Sequence, residues 1–328
     1  MAFGIPHLDV KLELSLRSDM KRVEDLLRSQ IKGDYPLVIE TSRHLVEAGG
    51  KRLRPLLTLL AAQFGDPKRS EIIEAAVVCE LTHLATLYHD DVMDEAPLRR
   101  GVESANARWN NTVAILTGDY LFAKASDLLA DLGPDAVRLQ ARTFERLVIG
   151  QITETQGSTI GLPMLDHYLA VVADKTGSLI ATSARFGALL SGAPTEIVES
   201  LTRFGEKIGV VFQLADDVID IESESNESGK TPGTDLREGV PTLVTLYVLA
   251  STDSADDELK AILSAPITDE VVVAKTLKQL RIHKAMESSK NLLHKYADEA
   301  QLELATLPNG SAKRALIELC ETIITRTS

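Results

Sequence analysis

The sequence predicts an all-α protein, folded as a single domain of about ten or more helices over residues 1–328. Apolar residues recur with the 3.6-residue period of a helix, for example at Val77, Leu81, Leu84 and Leu87. Alanine is abundant, whereas the alternating β-branched pattern of strands is scarce. No linker or low-complexity segment interrupts this pattern, so one continuous helical domain is expected.

Glycine and proline mark the ends of the predicted helices. The breaks fall at 65–67, 133–134, 161–163, 192–194, 229–241, 265–266 and 308–310. Proline lacks the backbone N–H that an interior helical position donates, and glycine favours turns, so helices end there. Many segments between these breaks exceed the common helix length of about 11 residues.

Composition excludes several classes of protein. The chain carries 48 acidic and 35 basic residues, a net charge of −13, which is unfavourable for a general nucleic-acid binder. No run of about 18 apolar residues is present, and the N-terminus lacks the basic and apolar regions of a secretory signal. Cys79 and Cys320 are too few for a disulfide framework or a thiolate zinc site. A reducing, cytoplasmic location is expected.

Two aspartate-rich motifs of identical spacing occur in the two halves of the chain, DDVMD at 90–94 and DDVID at 216–220. Positions 1, 2 and 5 of such a motif span about 100° of a helix, so three carboxylates share a face and the intervening apolar residues turn toward packing. Crowded carboxylates need a cation, and magnesium binds a few carboxylates together with phosphate oxygens. Two chance occurrences are expected in well under ~1% of chains of this length. The six candidate ligands are Asp90, Asp91, Asp94, Asp216, Asp217 and Asp220.

Basic residues accompany both motifs, as a polyphosphate substrate requires. The segment GGKRLRP at 49–55 places three cations and two glycines before a helix, which combines backbone N–H groups with positive charge. His83 lies seven residues before Asp90, about 20° away around a helix, and therefore shares the aspartate face. A lone histidine there is more often a buried, hydrogen-bonded residue than a ligand. The remaining candidates are Arg99, Arg100, Lys175, Thr176 and Lys230.

Together these motifs resemble those of the trans-isoprenyl diphosphate synthases over nearly the whole chain. The matching segments, in order, are GGKRLRP at 49–55, LTHLATLYHDDVMDEAPLRRG at 81–101, GDYLFAKA at 118–125, KTGSL at 175–179, FQLADDVID at 212–220 and GKTPGTDLREG at 229–239. The resemblance implies the isoprenoid synthase fold, a helical bundle around a large central cavity. It also implies condensation of isopentenyl diphosphate with an allylic diphosphate (geranyl, farnesyl or geranylgeranyl).

The resemblance assigns roles to individual residues. It implies that the six aspartates hold magnesium, three ions once substrate is bound, and that Arg99, Lys175 and Lys230 hold the allylic diphosphate. Asp90, Asp91, Asp94, Asp216, Lys175 and Arg99 are the residues expected to promote ionisation. Those matching the isopentenyl diphosphate site are Lys51, Arg54, His83 and Arg100. Thr176 and Gln213 match positions beside the reacting carbons.

Product length is predicted from the residues that precede the first motif. Thr86 and Ala85, the fourth and fifth residues before it, are small, whereas a bulky aromatic there closes the pocket in short-chain members of the family. The expected product is therefore longer than C15, most plausibly C30 to C45. Residues 144–152 or Tyr88 are candidates for the floor of the pocket. Ordinary helix packing would also explain Ala85 and Thr86.

Other interpretations stay open at this stage. The chain could make a shorter product, geranylgeranyl or farnesyl diphosphate. A terpene cyclase would share the first motif but leave the isopentenyl diphosphate residues unexplained. The regulatory subunit of a heteromeric synthase is a third class, although such subunits typically lose the aspartates. The resemblance implies a homodimer, and only peripheral membrane contact is expected because no basic amphipathic anchor is apparent.

Overall fold

The computed structural model describes residues 3–32, 34–158, 161–223 and 232–325, and it is helical through most of this length. The helices are α1 (Val10–Gln30), α2 (Pro36–Glu47), α3 (Leu53–Ala61), α4 (Glu71–Met93), α5 (Ala105–Arg108), α6 (Asn111–Leu132), α7 (Pro134–Gln156), α8 (Met164–Val172), α9 (Ser178–Leu190), α10 (Thr195–Glu222), α11 (Thr234–Glu238), α12 (Leu243–Leu249), α13 (Asp257–Leu263), α14 (Glu270–Ile282), α15 (Lys284–Glu303) and α16 (Ser311–Thr325). A π-helical turn, Ala173–Gly177, joins α8 to α9. The all-α prediction is confirmed.

The predicted breaks coincide with helix ends. α7 begins at Pro134 directly after Gly133, which has φ of 95°. α8, α10 and α16 begin just after the breaks at 161–163, 192–194 and 308–310. The break at 229–241 is described only from residue 232 onward, where α11 and α12 begin. Proline at the first turn of a helix costs no hydrogen bond, which explains the start of α7.

Strands were not predicted, and the described residues contain one short antiparallel hairpin. β1 (Leu98–Arg99) pairs with β2 (Val102–Glu103), with Leu98 opposite Glu103. Arg100 and Gly101 form its turn, and both have positive φ, 55° and 78°. Positive φ at both central residues defines the type I′ turn that suits two-residue hairpins.

The chain divides into two compact units, each assembled from three separate stretches. The first unit comprises Met1–Glu145, Leu179–Gly205 and Glu303–Glu318. The second comprises Arg146–Ser178, Glu206–Leu302 and Leu319–Ser328. The expected single domain and its central cavity stay predictions.

In the first unit, α4 is the central helix and is buried on nearly all sides. It packs against α1, α3 and α6. Small residues allow the close approach of α6, since a Cβ on Gly118 would lie 2.3 Å from Nε2 of His89 and 3.0 Å from the carbonyl oxygen of Ala85. The α4 helix is therefore fixed in place by the residues that surround it.

The second unit has its own apolar core beneath α10. Val218 and Ile221 of α10 pack there with residues of α11 to α15, including Val244, Leu277 and Met286. Val218 lies between the aspartates of the second motif and is fully buried. This burial holds one side of the motif against the core of the unit.

Candidate active site

The first aspartate motif ends α4, and its three carboxylates are not equivalent. Asp90 and Asp91 lie in the last turn, and Asp94 is the residue that caps the helix C-terminus. The Asp91 side chain has no exposed surface and its Oδ1 accepts a hydrogen bond from Nε of Arg99 at 2.6 Å. Nη2 of Arg99 lies 3.9 Å from Oδ2 of Asp94. Burial raises the pKa of Asp91, and Arg99 opposes this rise.

The prediction that Met93 packs inward is wrong. Met93 is 53% exposed, whereas Asp91 is buried. The helix ends at Met93, and the chain then turns back through the hairpin, which brings Arg99 to Asp91. A carboxylate can be buried when a guanidinium pairs with it, so the ion pair explains the difference.

A glycine turn after α2 positions Arg100. Gly49 and Gly50 have φ of 89° and 137°, and a Cβ on Gly50 would lie 2.9 Å from Cζ of Arg100. Nη1 of Arg100 donates to the carbonyl oxygen of Leu45 at 2.8 Å and also to that of Gly49. The guanidinium therefore lies flat against the glycine backbone at the C-terminus of α2, where the helix dipole favours a cation.

Arg52 and Arg54 have different surroundings. Arg52 donates to Glu24 at 2.6 Å, to Glu80 at 2.7 Å and to the carbonyl oxygen of Val46 at 3.0 Å. Its side chain is only 9% exposed, so it is committed to the fold. Nε of Arg54 is buried without a hydrogen-bond partner, and burial lowers the pKa of its guanidinium. Arg54 is thus the arginine of this segment with donor capacity left for an anion.

His83 is half-buried on α4 beside the same arginines. Burial lowers its pKa well below the usual value, and the positive charges of Arg54, Arg100 and Arg99 lower it further. The imidazole is therefore neutral near pH 7. We call the four arginines that act electrostatically on His83 the arginine cluster (Arg52, Arg54, Arg99 and Arg100). Lys51 is exposed beside it.

Ala85 and Thr86, the predicted determinants of product length, are both buried on α4. Thr86 donates its hydroxyl to the carbonyl oxygen of His83 at 2.8 Å, so it exposes no unsatisfied donor. The Tyr88 hydroxyl donates to the carbonyl oxygen of Thr41 and accepts from the backbone N–H of Leu45 at 3.3 Å. Tyr88 therefore contacts α2.

The second aspartate motif lies wholly within α10, and its middle residue is again buried. Asp217 is 2% exposed and accepts hydrogen bonds from the Tyr168 hydroxyl, from Nε2 of Gln213 at 2.9 Å and from the backbone N–H of Leu243 at 3.1 Å. Burial raises the pKa of Asp217 to about 6, although these donors act in the opposite direction. Asp217 is held by protein donors on both carboxylate oxygens.

Asp216 and Asp220 are half-buried. Asp220 accepts from the backbone N–H groups of Thr234 and Asp235, at 3.2 and 3.3 Å, and so supports the start of α11. Lys230, the basic residue expected nearby, lies outside the described residues.

The π-helical turn carries Lys175 and Thr176. Nζ of Lys175 lies 2.5 Å from a carboxylate oxygen of Glu154, and the Thr176 hydroxyl donates to the Gln213 side-chain oxygen at 3.4 Å. Gly150 permits this arrangement, because a Cβ there would lie 2.8 Å from the backbone nitrogen of Lys175. π-helical turns often occur at functional sites.

Three residues that contact individual predicted site residues were not themselves predicted from sequence: Glu80, Glu154 and Tyr168. Glu80 lies three residues before His83 on α4, a spacing that could have indicated it. Tyr168 and Glu154 are separated from their partners by 49 and 21 residues, and no local pattern signals such contacts.

The donor chemistry of the motifs fits magnesium. Carboxylate oxygens are its preferred protein ligands, and Oδ2 of Asp91 is buried without a hydrogen-bond partner. Among the residues that the structure describes, no three Asp, Glu, His or Cys side chains converge as a ready-made ligand cluster. An ion here would therefore draw further ligands from water and substrate oxygens, as magnesium commonly does.

Comparison with known proteins identifies the class to which this fold and these motifs belong. The family model for polyprenyl synthetase matches residues 35–280. The chain is 47% identical to nonaprenyl diphosphate synthase of Mycobacterium tuberculosis over 98% of its own length and 97% of that protein. It is 38% identical to heptaprenyl diphosphate synthase component 2 of Geobacillus stearothermophilus, covering 93% and 94% of the two chains.

A solved structure agrees with this match. Geranylgeranyl pyrophosphate synthase from Corynebacterium glutamicum, complexed with calcium and isoprenyl diphosphate, superposes with a TM-score of 0.88 at 42% identity. The superposition covers 98% of this chain and 99% of that one. The chain therefore belongs to the polyprenyl synthetase family, and it is a prenyltransferase.

Proposed function

We propose that this chain is an all-trans polyprenyl diphosphate synthase, which condenses isopentenyl diphosphate with an allylic diphosphate in a magnesium-dependent, head-to-tail 1′-4 reaction. The observation that carries the proposal is the arginine cluster around a neutral His83, on the helix that ends in the first aspartate motif. A prenyl acceptor with a diphosphate needs a cationic site of its own, beside the carboxylate motifs that serve the allylic substrate.

We assign the isopentenyl diphosphate to Lys51, Arg54, His83 and Arg100. The unpartnered Nε of Arg54 supports this assignment. Nη1 of Arg100 is bonded to backbone carbonyls, which fixes the direction of the guanidinium and lowers the entropic cost of binding. Neutral His83 adds a hydrogen-bonding group without adding charge. Arg52 is omitted because its donors are already engaged.

We assign the allylic diphosphate to both aspartate motifs with Arg99, Lys175 and Lys230. Asp90, Asp94 and Asp216 are proposed as the principal magnesium ligands, with Asp220 assisting. Burial and protein hydrogen bonds support a positioning role for Asp91 and Asp217, with Asp91 still able to contribute Oδ2. Magnesium, when bound, neutralises charge on the departing diphosphate. Structures of relatives complexed with calcium and isoprenyl diphosphate support dependence on a divalent cation.

The reaction breaks the allylic C–O bond, so negative charge develops on the leaving diphosphate, and fixed cations such as Arg99 and Lys175 stabilise it. We infer that apolar side chains shield the allylic cation from water. The double bond of isopentenyl diphosphate then forms the new C–C bond. Loss of one proton, which we assign to the released pyrophosphate, restores an allylic diphosphate. We assign Thr176 and Gln213, which share a hydrogen bond, to positions beside the reacting carbons.

We propose a product of C30 to C45. The small size of Ala85 and Thr86 supports a pocket open beyond C15. The names of the nonaprenyl and heptaprenyl relatives agree with it. The geranylgeranyl pyrophosphate synthase structure supports the alternative of a C20 product.

We propose a homodimer that acts in the cytoplasm. Ile115 and Leu116, on α6, are 42% and 61% exposed, and such apolar surface supports a subunit contact. The heptaprenyl relative is named as a component, which makes a second subunit the alternative. No helix in the described part of the chain is long and apolar enough to cross a membrane.

The reaction class is tested by incubating the purified protein with geranyl diphosphate and labelled isopentenyl diphosphate, with magnesium or with EDTA. Extractable label that requires both substrates and magnesium is the expected result. Consumption of geranyl diphosphate without incorporation of isopentenyl diphosphate would instead indicate a terpene cyclase.

A further inference from the structure

Glu80 is a buried carboxylate within the arginine cluster, and the proposed function gives it no role. It lies on α4, three residues before His83, and is 2% exposed. Carboxylates are rarely buried to this extent unless they are paired. Its position beside residues proposed to bind a diphosphate raises the question of what its charge does there.

Three arginines face this one carboxylate. Oε1 of Glu80 accepts from Nη1 of Arg52 at 2.7 Å and lies 3.9 Å from Nη2 of Arg100. Glu80 also acts electrostatically on Arg54, where it opposes the lowering of the pKa by burial. Glu80 is therefore the shared counter-charge of Arg52, Arg54 and Arg100.

The arginines have other hydrogen-bond partners besides Glu80. The effect of the Glu80 charge can therefore be tested without removing the contacts that hold the arginines in position. Arg52 is also bonded to Glu24 and to the carbonyl oxygen of Val46. Arg100 is bonded to the carbonyl oxygens of Leu45 and Gly49. An uncharged side chain of the same shape as Glu80 would leave these contacts in place and could still accept from Arg52.

We propose that Glu80 is a resident counter-anion that holds the arginine cluster together before substrate arrives and thereby limits its affinity for isopentenyl diphosphate. This inference rests on the proposed function. Clustered guanidiniums repel one another unless an anion lies among them. An incoming diphosphate supplies that anion, but Glu80 repels it, so the carboxylate stabilises the free protein at the expense of binding.

The test compares wild type with Glu80→Gln by calorimetric titration of isopentenyl diphosphate in EDTA. EDTA prevents metal-assisted binding at the aspartate motifs and leaves the arginine cluster as the anion site. E80Q is expected to bind with at least a fivefold lower Kd than wild type, and to melt at a lower temperature without ligand. A residue with a merely structural role would not tighten binding when it is replaced.

Glu24→Gln is the matched control, because Glu24 pairs with the same Arg52 but is 25% exposed. Its Kd is expected to stay within twofold of wild type. An unchanged or higher Kd in E80Q overturns the inference. If E80Q is too unstable for calorimetric titration, thermal unfolding scans replace the titration. Isopentenyl diphosphate is then expected to raise the Tm of E80Q more than that of wild type. An equal or smaller rise also overturns the inference.

Failure of the inference and failure of the proposed function give different results. The inference is read from binding without metal, whereas the proposed function is read from incorporation of isopentenyl diphosphate by wild type with magnesium. Wild type that turns over substrate while E80Q binds no more tightly overturns only the role of Glu80. If wild type binds neither isopentenyl diphosphate nor inorganic pyrophosphate in EDTA, the arginine cluster is not an anion site, and this result also overturns the role of Glu80.

Discussion

At the scale of single residues, neighbouring cations of the same motif have different tasks. The Arg52 guanidinium donates hydrogen bonds to the carboxylates of Glu24 and Glu80 and to the carbonyl oxygen of Val46. Nε of Arg54, in contrast, has no hydrogen-bond partner. The sequence GGKRLRP does not distinguish them, since both are arginines two residues apart. The distinction arises because Arg52 precedes α3 with φ of 49°, which turns its side chain toward α1 and α4.

Replacing the two arginines is therefore expected to affect different properties, substrate affinity for Arg54 and stability for Arg52. Arg54→Gln is expected to raise the KM for isopentenyl diphosphate about tenfold or more, since a charge-assisted hydrogen bond contributes roughly 1.5–3 kcal/mol. Arg52→Gln is expected to lower the free energy of unfolding by about 3 kcal/mol, because it removes the shortest ion pair of the buried Glu80. Steady-state kinetics and denaturant titration of both variants measure this. A KM effect confined to R52Q would contradict the assignment.

His83 predicts a pH dependence of stability. Its pKa is lowered in the folded protein, so below about pH 6.5 the unfolded chain binds the proton more readily than the folded one. Above that pH, His83 does not lower the free energy of unfolding. Below it, His83 lowers the free energy of unfolding by up to about 1.4 kcal/mol for each further pH unit. His83→Gln should lose less stability than wild type between pH 7 and 5.5. If the free energies of unfolding of wild type and His83→Gln changed equally with pH across this range, the pKa of His83 would not be lowered by folding.

At the scale of secondary-structure elements, close packing at glycines fixes where the site residues lie. A Cβ on Gly150 would meet the backbone nitrogen of Lys175 at 2.8 Å, and backbone cannot move aside as a flexible side chain can. Gly150→Ala should therefore displace the π-helical turn from α7, with a loss of roughly 1–3 kcal/mol in stability and a higher KM for the allylic substrate. Kinetics and thermal unfolding test this.

Gly310→Ala is the control for that substitution. A Cβ on Gly310 has nothing within 4 Å, and φ there is not positive. Its stability and kinetics are expected to match wild type. If G150A behaved like G310A, the π-helical turn would not depend on the approach of α7.

The prediction of product length rests on the small side chains of α4 that precede the first aspartate motif. Ala85→Phe is expected to shorten the product, since an aromatic ring adds bulk where a small side chain now lies. The ratio of C20 and shorter products to longer ones, measured by chromatography of dephosphorylated products, reports the effect. Leu87→Phe, on the same helix but half-buried, is the comparison variant. An unchanged product distribution in A85F would contradict the open-pocket interpretation.

Elements with strong periodicity and clear breaks could be predicted from the sequence, and the hairpin could not. The helices around Val77 to Leu87 and the breaks at Pro134 and Gly310 rest on local patterns. The hairpin has two residues per strand, too few to show an alternation, and its turn residue Arg100 is not a usual type I′ residue. The burial of Asp91 depends on Arg99 of that hairpin, so the helical spacing alone could not indicate it.

At the scale of the whole molecule, the sequence motifs identify the reaction class, whereas the length of the product depends on how the helices pack. The motif positions and the family match agree over most of the chain. Contacts such as Tyr168 with Asp217 join residues 49 positions apart, and their formation depends on tertiary packing rather than on local propensity. Product length depends on such packing as well.

The most direct test of the account is the chain length of the product that wild type makes from farnesyl diphosphate and labelled isopentenyl diphosphate with magnesium. Label is expected in polyprenols of C30 to C45 after dephosphorylation. A product that stops at C20 would contradict the assignment of Ala85 and Thr86 to an open pocket while leaving the condensation reaction in place. No incorporation with farnesyl or any shorter primer, alone or with a partner subunit, would contradict the account itself.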